Sequence, residues 1–246
     1  MNASLTLLAA GSLRRAFIPL QALFRQRTGI AIEMVFGPAG LLRERIENGA
    51  PCSLFASANR QHPQALCEAG RAHGLRIFAR NALILTARNT AQTAGKDWLA
   101  LLEDPSLRLA TSTPLCDPSG DYTWQLFSRL EESYPGLGDA LKLRAMPLVG
   151  GRDSLTLPPD VLASSWLIRE NLTDLFIGYA HYATALAGQD DILCVNIPSP
   201  WNINCEYFMA LLDDSDAARQ FYQFVLADEG QRCLREAGFI AASGAE

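Results

Sequence analysis

Apolar residues in this chain alternate between short continuous runs and helical spacing. Leu5 to Ala10 is a mostly apolar run of strand length, and from Leu13 to Arg27 the apolar positions Ala16, Phe17, Leu20, Leu23 and Phe24 trace one helix face. Gly11-Ser12 joins the two, with Ser12 placed as an N-cap and Gly29 as the residue that closes the helix. Ile30 to Phe36, with β-branched and aromatic residues, predicts a second strand, and Leu41 to Ile46 a short helix ended by Asn48-Gly49. Ser53 to Ala58 reads as a strand, Pro63 to Ala69 as a helix and Ala82 to Ala87 as a strand. This β-α-β-α order favours a parallel sheet covered on both faces.

The pattern resumes in the second half. Leu107 to Thr111 predicts a strand, and Tyr122 to Ser133 a helix with Trp124, Phe127 and Leu130 on its apolar side. Val161 to Arg169 reads as a helix, Leu175 to Ala180 as a strand, and Ile192 to Ile197 as a strand entering the Pro198-Ser199-Pro200 turn. Glu206 to Leu212 is the last predicted strand. Asp214-Ser215-Asp216 opens a helix over Ala217 to Leu226, and a final helix spans Asp228 to Glu236 before Gly238.

With 246 residues, 49% of them hydrophobic and 19% charged, the chain can bury a sizeable core as one large domain or two small ones. A net charge of −5 with scattered Lys and Arg argues against a nucleic-acid surface. No apolar run approaches the roughly 20 residues that span a bilayer. Met1-Asn2-Ala3-Ser4 has neither the basic region nor the apolar segment of a leader, which is expected of a mature chain after removal of a presequence, or of a cytoplasmic one. The six cysteines, Cys52, Cys67, Cys116, Cys194, Cys205 and Cys233, form no metal-site spacing and read as small buried hydrophobes; Cys194 and Cys205 have the spacing to face each other across a hairpin.

The chemistry concentrates in three stretches, Ala9-Ala10-Gly11-Ser12-Leu13, Phe36-Gly37-Pro38-Ala39-Gly40 and Asp117-Pro118-Ser119-Gly120-Asp121-Tyr122. Each sets small residues between a strand and a helix, so three helix N-termini could offer bare N–H groups to one anion without a cationic side chain. Each also has a plainer reading. Ser12 is an ordinary helix cap, Asp117-Pro118-Ser119-Gly120 is a good turn sequence, and Tyr179 on an apolar strand is a core residue. Tyr179 nevertheless falls near a strand's carboxyl end, where open α/β sheets bind ligands. Asp117 and Asp121 are explained as a turn aspartate and a first-turn aspartate rather than an acid–base pair. His62, His73 and His181 lie at no nucleophile–base spacing, and the chain has no Gly-x-Ser-x-Gly elbow and no phosphate loop with lysine, so no catalytic residue is expected.

Taken together these segments resemble the periplasmic molybdate/tungstate-binding proteins of ABC importers. The resemblance rests on Ala9-Ala10-Gly11-Ser12-Leu13, on Phe36-Gly37-Pro38-Ala39-Gly40-Leu41 running to Ile46-Glu47-Asn48-Gly49-Ala50-Pro51, and on Phe55-Ala56-Ser57-Ala58. Pro118-Ser119-Gly120 with Tyr122, Ile177-Gly178-Tyr179, Glu229-Gly230-Gln231 and Gly238-Phe239 extend it along the chain. It implies the two-lobed type II periplasmic binding protein fold of the α/β class, with mixed, mostly parallel sheets, flanking helices and a hinge. Lobe I would hold residues 1–81 and 198–246 and lobe II residues 82–197, with the ligand in the cleft between them.

The donors implied are the Ser12 hydroxyl and amide, the amides of Ala39, Ser119 and Gly151, and the Tyr179 hydroxyl. No cofactor and no metal ion are implied, a metal entering only as the central atom of molybdate or tungstate. The expected partner is the membrane permease of an ABC importer, served by a periplasmic monomer that inserts in no membrane. The chain departs from the family at Ala39, where a serine is usual, and at Cys52-Ser53, where an aspartate is usual; the Asp153 to Asp160 stretch with Pro158-Pro159 is long. An archaeal branch adds two carboxylates to the metal's coordination. Asp117 matches one, but Gly178 stands where the other would be, which favours simple hydrogen-bonded binding. Sensing of a different small anion, or a small-molecule hydrolase, are the competing readings.

Overall fold

The structure is a computed structural model that describes residues 5–242; Met1–Ser4, on which the leader reading falls, lies outside the described residues. In chain order the elements are β1 (Leu5–Ala10), α1 (Arg14–Thr28), β2 (Ile32–Gly37), α2 (Ala39–Glu47), β3 (Leu54–Ser57), α3 (Gln61–Glu68), β4 (His73–Asn81), β5 (Leu83–Arg88), α4 (Trp98–Glu103), β6 (Leu109–Ser112), α5 (Pro118–Ser133), α6 (Leu137–Arg144), β7 (Met146–Val149), α7 (Ala163–Arg169), β8 (Leu175–Tyr179), α8 (Ala183–Leu186), β9 (Ile192–Asn196), β10 (Cys205–Leu211), α9 (Asp216–Leu226), α10 (Asp228–Glu236) and β11 (Ile240–Ala241). They divide into two compact units, one running to Asn81 and resuming at Cys205, the other spanning Ala82–Asn204.

The first unit is built on a six-stranded mixed sheet in the order β11-β4-β10-β3-β1-β2. β2, β1 and β3 are parallel, whereas β10 runs antiparallel to both β3 and β4. The apolar stripe of α1 buries Phe17 and Phe24 against Phe78 of β4 and Phe221 of α9, with ring centroids 5.1 to 6.3 Å apart. Edge-to-face aromatic packing of this kind contributes beyond its buried area. Gly29 closes α1 in left-handed backbone, as its position predicts, and the Ser215 side chain caps α9 by accepting from the Ala218 amide.

The second unit carries a five-stranded mixed sheet in the order β7-β6-β8-β5-β9. β7, β6 and β8 are parallel, and β5 is antiparallel to β8 and β9. All four tryptophans of the chain fall in this unit; Trp98 stacks on Trp201 at 5.3 Å and Trp124 on Phe127 at 5.5 Å. Cys194 pairs through β9 with β5 of this sheet, whereas Cys205 lies in β10 of the other, so the expected hairpin between them does not exist. All six cysteines are free.

Asn202 fastens the end of the second unit to its beginning. Its Oδ1 accepts from the amides of Leu83 and Ile203 at 2.9 and 2.8 Å, and its Nδ2 donates to the carbonyls of Leu83 and Ile197, both at 2.9 Å. Asn202→Ala leaves the buried Leu83 amide and carbonyl without these partners, so we expect a loss of about 2–3 kcal/mol, read as a lower urea midpoint.

Candidate functional site

Each parallel block ends in turns made of small residues. In the first unit Ala10 of β1 registers with Gly37 of β2, so the turns that follow these strands lie side by side. After β1 the chain makes one 3-10 turn, Gly11–Leu13, before α1; after β2, Pro38 leads directly into α2 with Ala39 at its first position. Neither Ala10, Leu13 nor Pro38 supplies a side-chain cap, so the first-turn amides of both helices lack one.

Ser12 is not the N-cap its position suggested. It sits inside the 3-10 turn, buried, with its Oγ 3.0 Å from the Oη of Tyr207 on β10. Tyr207 is wholly buried and wedged edge-to-face against Phe78 and Phe239. Either hydroxyl can be the donor in this contact, and each bond of such a buried pair polarises the other. Sequence reasoning missed Tyr207, since nothing local links residues 12 and 207. Beyond β3, Asn59 Oδ1 accepts from Ser57 Oγ at 3.0 Å and from the His62 amide at 3.2 Å, which folds this third turn inward.

His62 follows on α3, 4% exposed, and neither ring nitrogen finds a hydrogen-bond partner among the described residues. Burial, reinforced by the positive charge of Arg43, lowers its pKa to about 4, so the ring is neutral at pH 7. The Cys52 thiol, where the resemblance expects a carboxylate, is pushed up to about 12 by burial and donates to the Leu54 carbonyl. It is a packing residue, not a nucleophile.

In the second unit Ser112 of β6 registers with Val149 of β7, again bringing two turns together. Thr113 donates both its amide and its Oγ1 to the Val149 carbonyl, at 2.9 and 2.8 Å. The helix α5 starts four residues earlier than the hydrophobic pattern indicated, at Pro118, so Asp117-Pro118-Ser119-Gly120 is a helix start and not a free turn. Proline fits the first helical position because its missing N–H would be unpaired there, and Asp117 is the N-cap. Gly120 presses on β6: a Cβ there would lie 2.5 Å from the Pro114 nitrogen and 2.7 Å from the Ser112 carbonyl oxygen.

The loop between carries one strained residue. Leu115 adopts φ 69°, is 80% exposed, and is held by its amide donating to Asp121 Oδ1 at 2.8 Å. A left-handed leucine costs about 1–2 kcal/mol.

The five residues singled out fall into two sets. Ser12 and Ala39 share the neighbouring turns of the first unit. Ser119 and the Gly150-Gly151 turn meet around Asp117: the Ser119 amide donates to Asp117 Oδ1 at 3.1 Å, and a Cβ on Gly150 would fall 2.6 Å from Asp117 Oδ2. The Gly151 amide donates to Ser154 Oγ at 2.9 Å. Tyr179 ends β8, buried, its ring 6.4 Å from that of Tyr122 on α5 and 6.0 Å from that of His181. Asp117 itself is half-buried, and burial of its carboxyl raises its pKa to about 6 against the pull of its hydrogen bonds from Ser119 and Ser112. Among the described residues no group of three His, Cys, Asp or Glu side chains is placed to hold a metal ion.

A family model described as bacterial extracellular solute-binding protein matches residues 5–240. An uncharacterized protein of Pasteurella multocida is 42% identical over 239 residues, covering 96% of this chain and 98% of that protein. The molybdate-binding protein ModA of Escherichia coli is 24% identical over 249 residues, covering 96% of this chain and 88% of its own length. Among solved structures, the sulfate-binding protein SubI of Mycobacterium tuberculosis aligns with a TM-score of 0.77 at 18% identity, over 98% of this chain and 88% of that one.

Proposed function

Since the chain belongs to the bacterial extracellular solute-binding protein family, we propose that it captures a tetrahedral oxyanion, molybdate or tungstate, for delivery to the permease of an ABC importer. The observation that carries this reading is the pair of uncapped helix starts beside the Tyr207-anchored Ser12 hydroxyl, a cluster of neutral donors where two parallel strands end. A relative named for molybdate and a fold neighbour named for sulfate support the ligand class, since both are tetrahedral XO4 dianions.

In this reading the donors are the Ser12 hydroxyl and the Ala39 amide of the first unit, and the Ser119 and Gly151 amides with the Tyr179 hydroxyl of the second, the two amides exchanging Asp117 Oδ1 and Ser154 Oγ for the anion. The protein acts as a periplasmic monomer without catalysis. Excluding water from the donors strengthens each contact, and cavity size separates molybdate from the smaller sulfate, because N–H and O–H donors do not sense the central atom.

Isothermal titration with molybdate, tungstate, sulfate and phosphate tests the proposal. We expect heat from the first two, with Ser12→Ala weakening binding about 10- to 100-fold through loss of one hydrogen bond to a charged ligand. Ala39→Ser, which adds a hydroxyl at the first turn of α2, should tighten it about tenfold. No heat from any of the four anions would overturn the oxyanion reading. Ala39 itself favours one alternative: if phosphate or sulfate binds and the larger anions do not, the missing hydroxyl marks a different oxyanion as the cargo.

A further inference from the structure

The two halves of the candidate site differ in one respect. In the first unit the helix starts carry no side-chain cap, but in the second the place of an anion at the start of α5 is taken by the chain's own carboxylate. Asp117 Oδ1 accepts the Ser119 amide at 3.1 Å, the same amide that an oxyanion would need. The Gly120 and Asp121 amides turn to the Asp117 carbonyl at 2.9 and 3.3 Å. The carboxylate is lodged among the ends of β6 and β7, hydrogen-bonded to Ser112 and so close to the Gly150 turn that a Cβ there would lie 2.6 Å from Oδ2.

We propose that Asp117 is the residue that sets anion affinity and selectivity in the second unit, by competing as a resident carboxylate for the donors the bound oxyanion would use. The inference rests on the oxyanion reading above. A dianion arriving beside an ionised Asp117 meets both an occupied amide and a like charge on a half-buried carboxylate, where repulsion is screened less than at an open surface. Protonating Asp117 removes the charge and frees the Ser119 amide to turn to the ligand, so binding a dianion takes up a proton from solvent.

The groups that face Asp117 keep this balance close. From α5, Asp121 adds negative charge, and Cys116 is the chain neighbour of Asp117; β6 presents the neutral Ser112, and the turn after β7 lays Gly150 against the carboxylate and carries the cationic Arg152 two residues on. Burial has already raised the Asp117 pKa to about 6, so protonation at neutral pH is a small step. Selectivity follows: an oxyanion that carries its own proton at neutral pH, such as hydrogenphosphate, pays less of this penalty than molybdate or sulfate, because its O–H can donate to the carboxylate.

The test is isothermal titration of the wild-type chain and Asp117→Asn with the four anions, between pH 6.5 and 8, in buffers of differing ionisation heat. Asn keeps an acceptor for the Ser119 amide but no charge. For wild type we expect net proton uptake on molybdate binding and affinity that rises by up to about tenfold per pH unit on acidification. In Asp117→Asn the affinity at pH 8 should be at least tenfold higher, with no proton uptake and a flat pH dependence. A melting curve of each variant confirms that the fold is kept. If wild type binds molybdate with no proton uptake, or Asn binds it no more tightly, the competition is overturned while the oxyanion reading stands. If neither protein binds any of the four anions, both fall together.

Discussion

Gly120→Ala should destabilise the second unit by about 3 kcal/mol and lower oxyanion affinity at least a hundredfold. The added methyl would lie 2.5 Å from the Pro114 nitrogen, 2.6 Å from the Thr113 carbonyl carbon and 2.7 Å from the Ser112 oxygen, all backbone atoms with no side-chain freedom to yield. Overpacking of this kind is relieved only by moving an element, at a typical cost of about 1–3 kcal/mol or more. The element that moves is the start of α5, which carries the Ser119 amide and the Asp117 cap. Gly11→Ala is the control from the other unit: a Cβ there meets its nearest atom, the Gly37 oxygen, at 3.9 Å, so this glycine is replaceable without strain. Urea unfolding of the two variants separates a steric requirement from a merely glycine-rich motif. Equal midpoints would sink the distinction.

The second large effect is on acid stability. The folded His62 pKa of about 4 lies below the ordinary 6.5, so the unfolded chain binds its proton first as pH falls. Stability from His62 is complete above pH 6.5 and is lost between 6.5 and 4, up to about 3 kcal/mol in all. Asp117 acts with the opposite sign. Its folded pKa of about 6 lies above the ordinary 3.8, so the folded chain takes its proton first, and stability is gained as pH falls from 6 towards 4. The two contributions oppose each other over the same window in wild type.

Substitution exposes them. His62→Leu, which replaces an imidazole with no hydrogen-bond partner by an apolar side chain of similar size, should be near neutral at pH 7.5 and should gain relative to wild type by up to about 3 kcal/mol at pH 4. Asp117→Asn should show the reverse trend, losing ground to wild type on acidification. Urea midpoints at pH 7.5, 6 and 4.5 measure both, and parallel curves for the two variants would rule out this origin of the acid response.

How much of this was legible beforehand differs by element. β1, α1, β2, α2, α9 and α10 are read within a few residues because their apolar periods are uninterrupted and their ends carry Gly29, Asn48 or Ser215. The strand β4 escaped notice because His73, Arg76 and Arg80 break its apolar character, yet β10 and β11 flank it and its pairing is supplied from the far end of the chain. β7 and α4 are too short for a period to show, and β7 contains Pro147, which suits only an edge strand.

At the site, the small residues at Gly11, Gly37 and Gly120 did mark where strands hand over to helices. The N-cap reading of Ser12 fails because the residue sits inside a 3-10 turn, and its contact with Tyr207 lies beyond any local rule, since none connects a turn serine to a strand tyrosine so far along the chain. The start of α5 was placed late because Asp, Pro, Ser and Gly are turn formers as well as helix starters, and only Gly120 packed on Ser112 decides between the two. That the Asp117 carboxyl would lie against the Gly150 turn is a contact between loops that composition does not encode.

The tryptophan stack of Trp98 on Trp201 has a practical consequence for spectroscopy. With Trp98, Trp124, Trp166 and Trp201 all between Ala82 and Asn204, tryptophan emission, excited selectively over tyrosine, comes from one half of the molecule alone. The other half, organised around Phe17, Phe24, Phe78 and Phe221, contributes no indole emission. A denaturation followed by emission and again by far-ultraviolet circular dichroism would therefore tell, without any label, whether the halves melt as one cooperative body or in sequence.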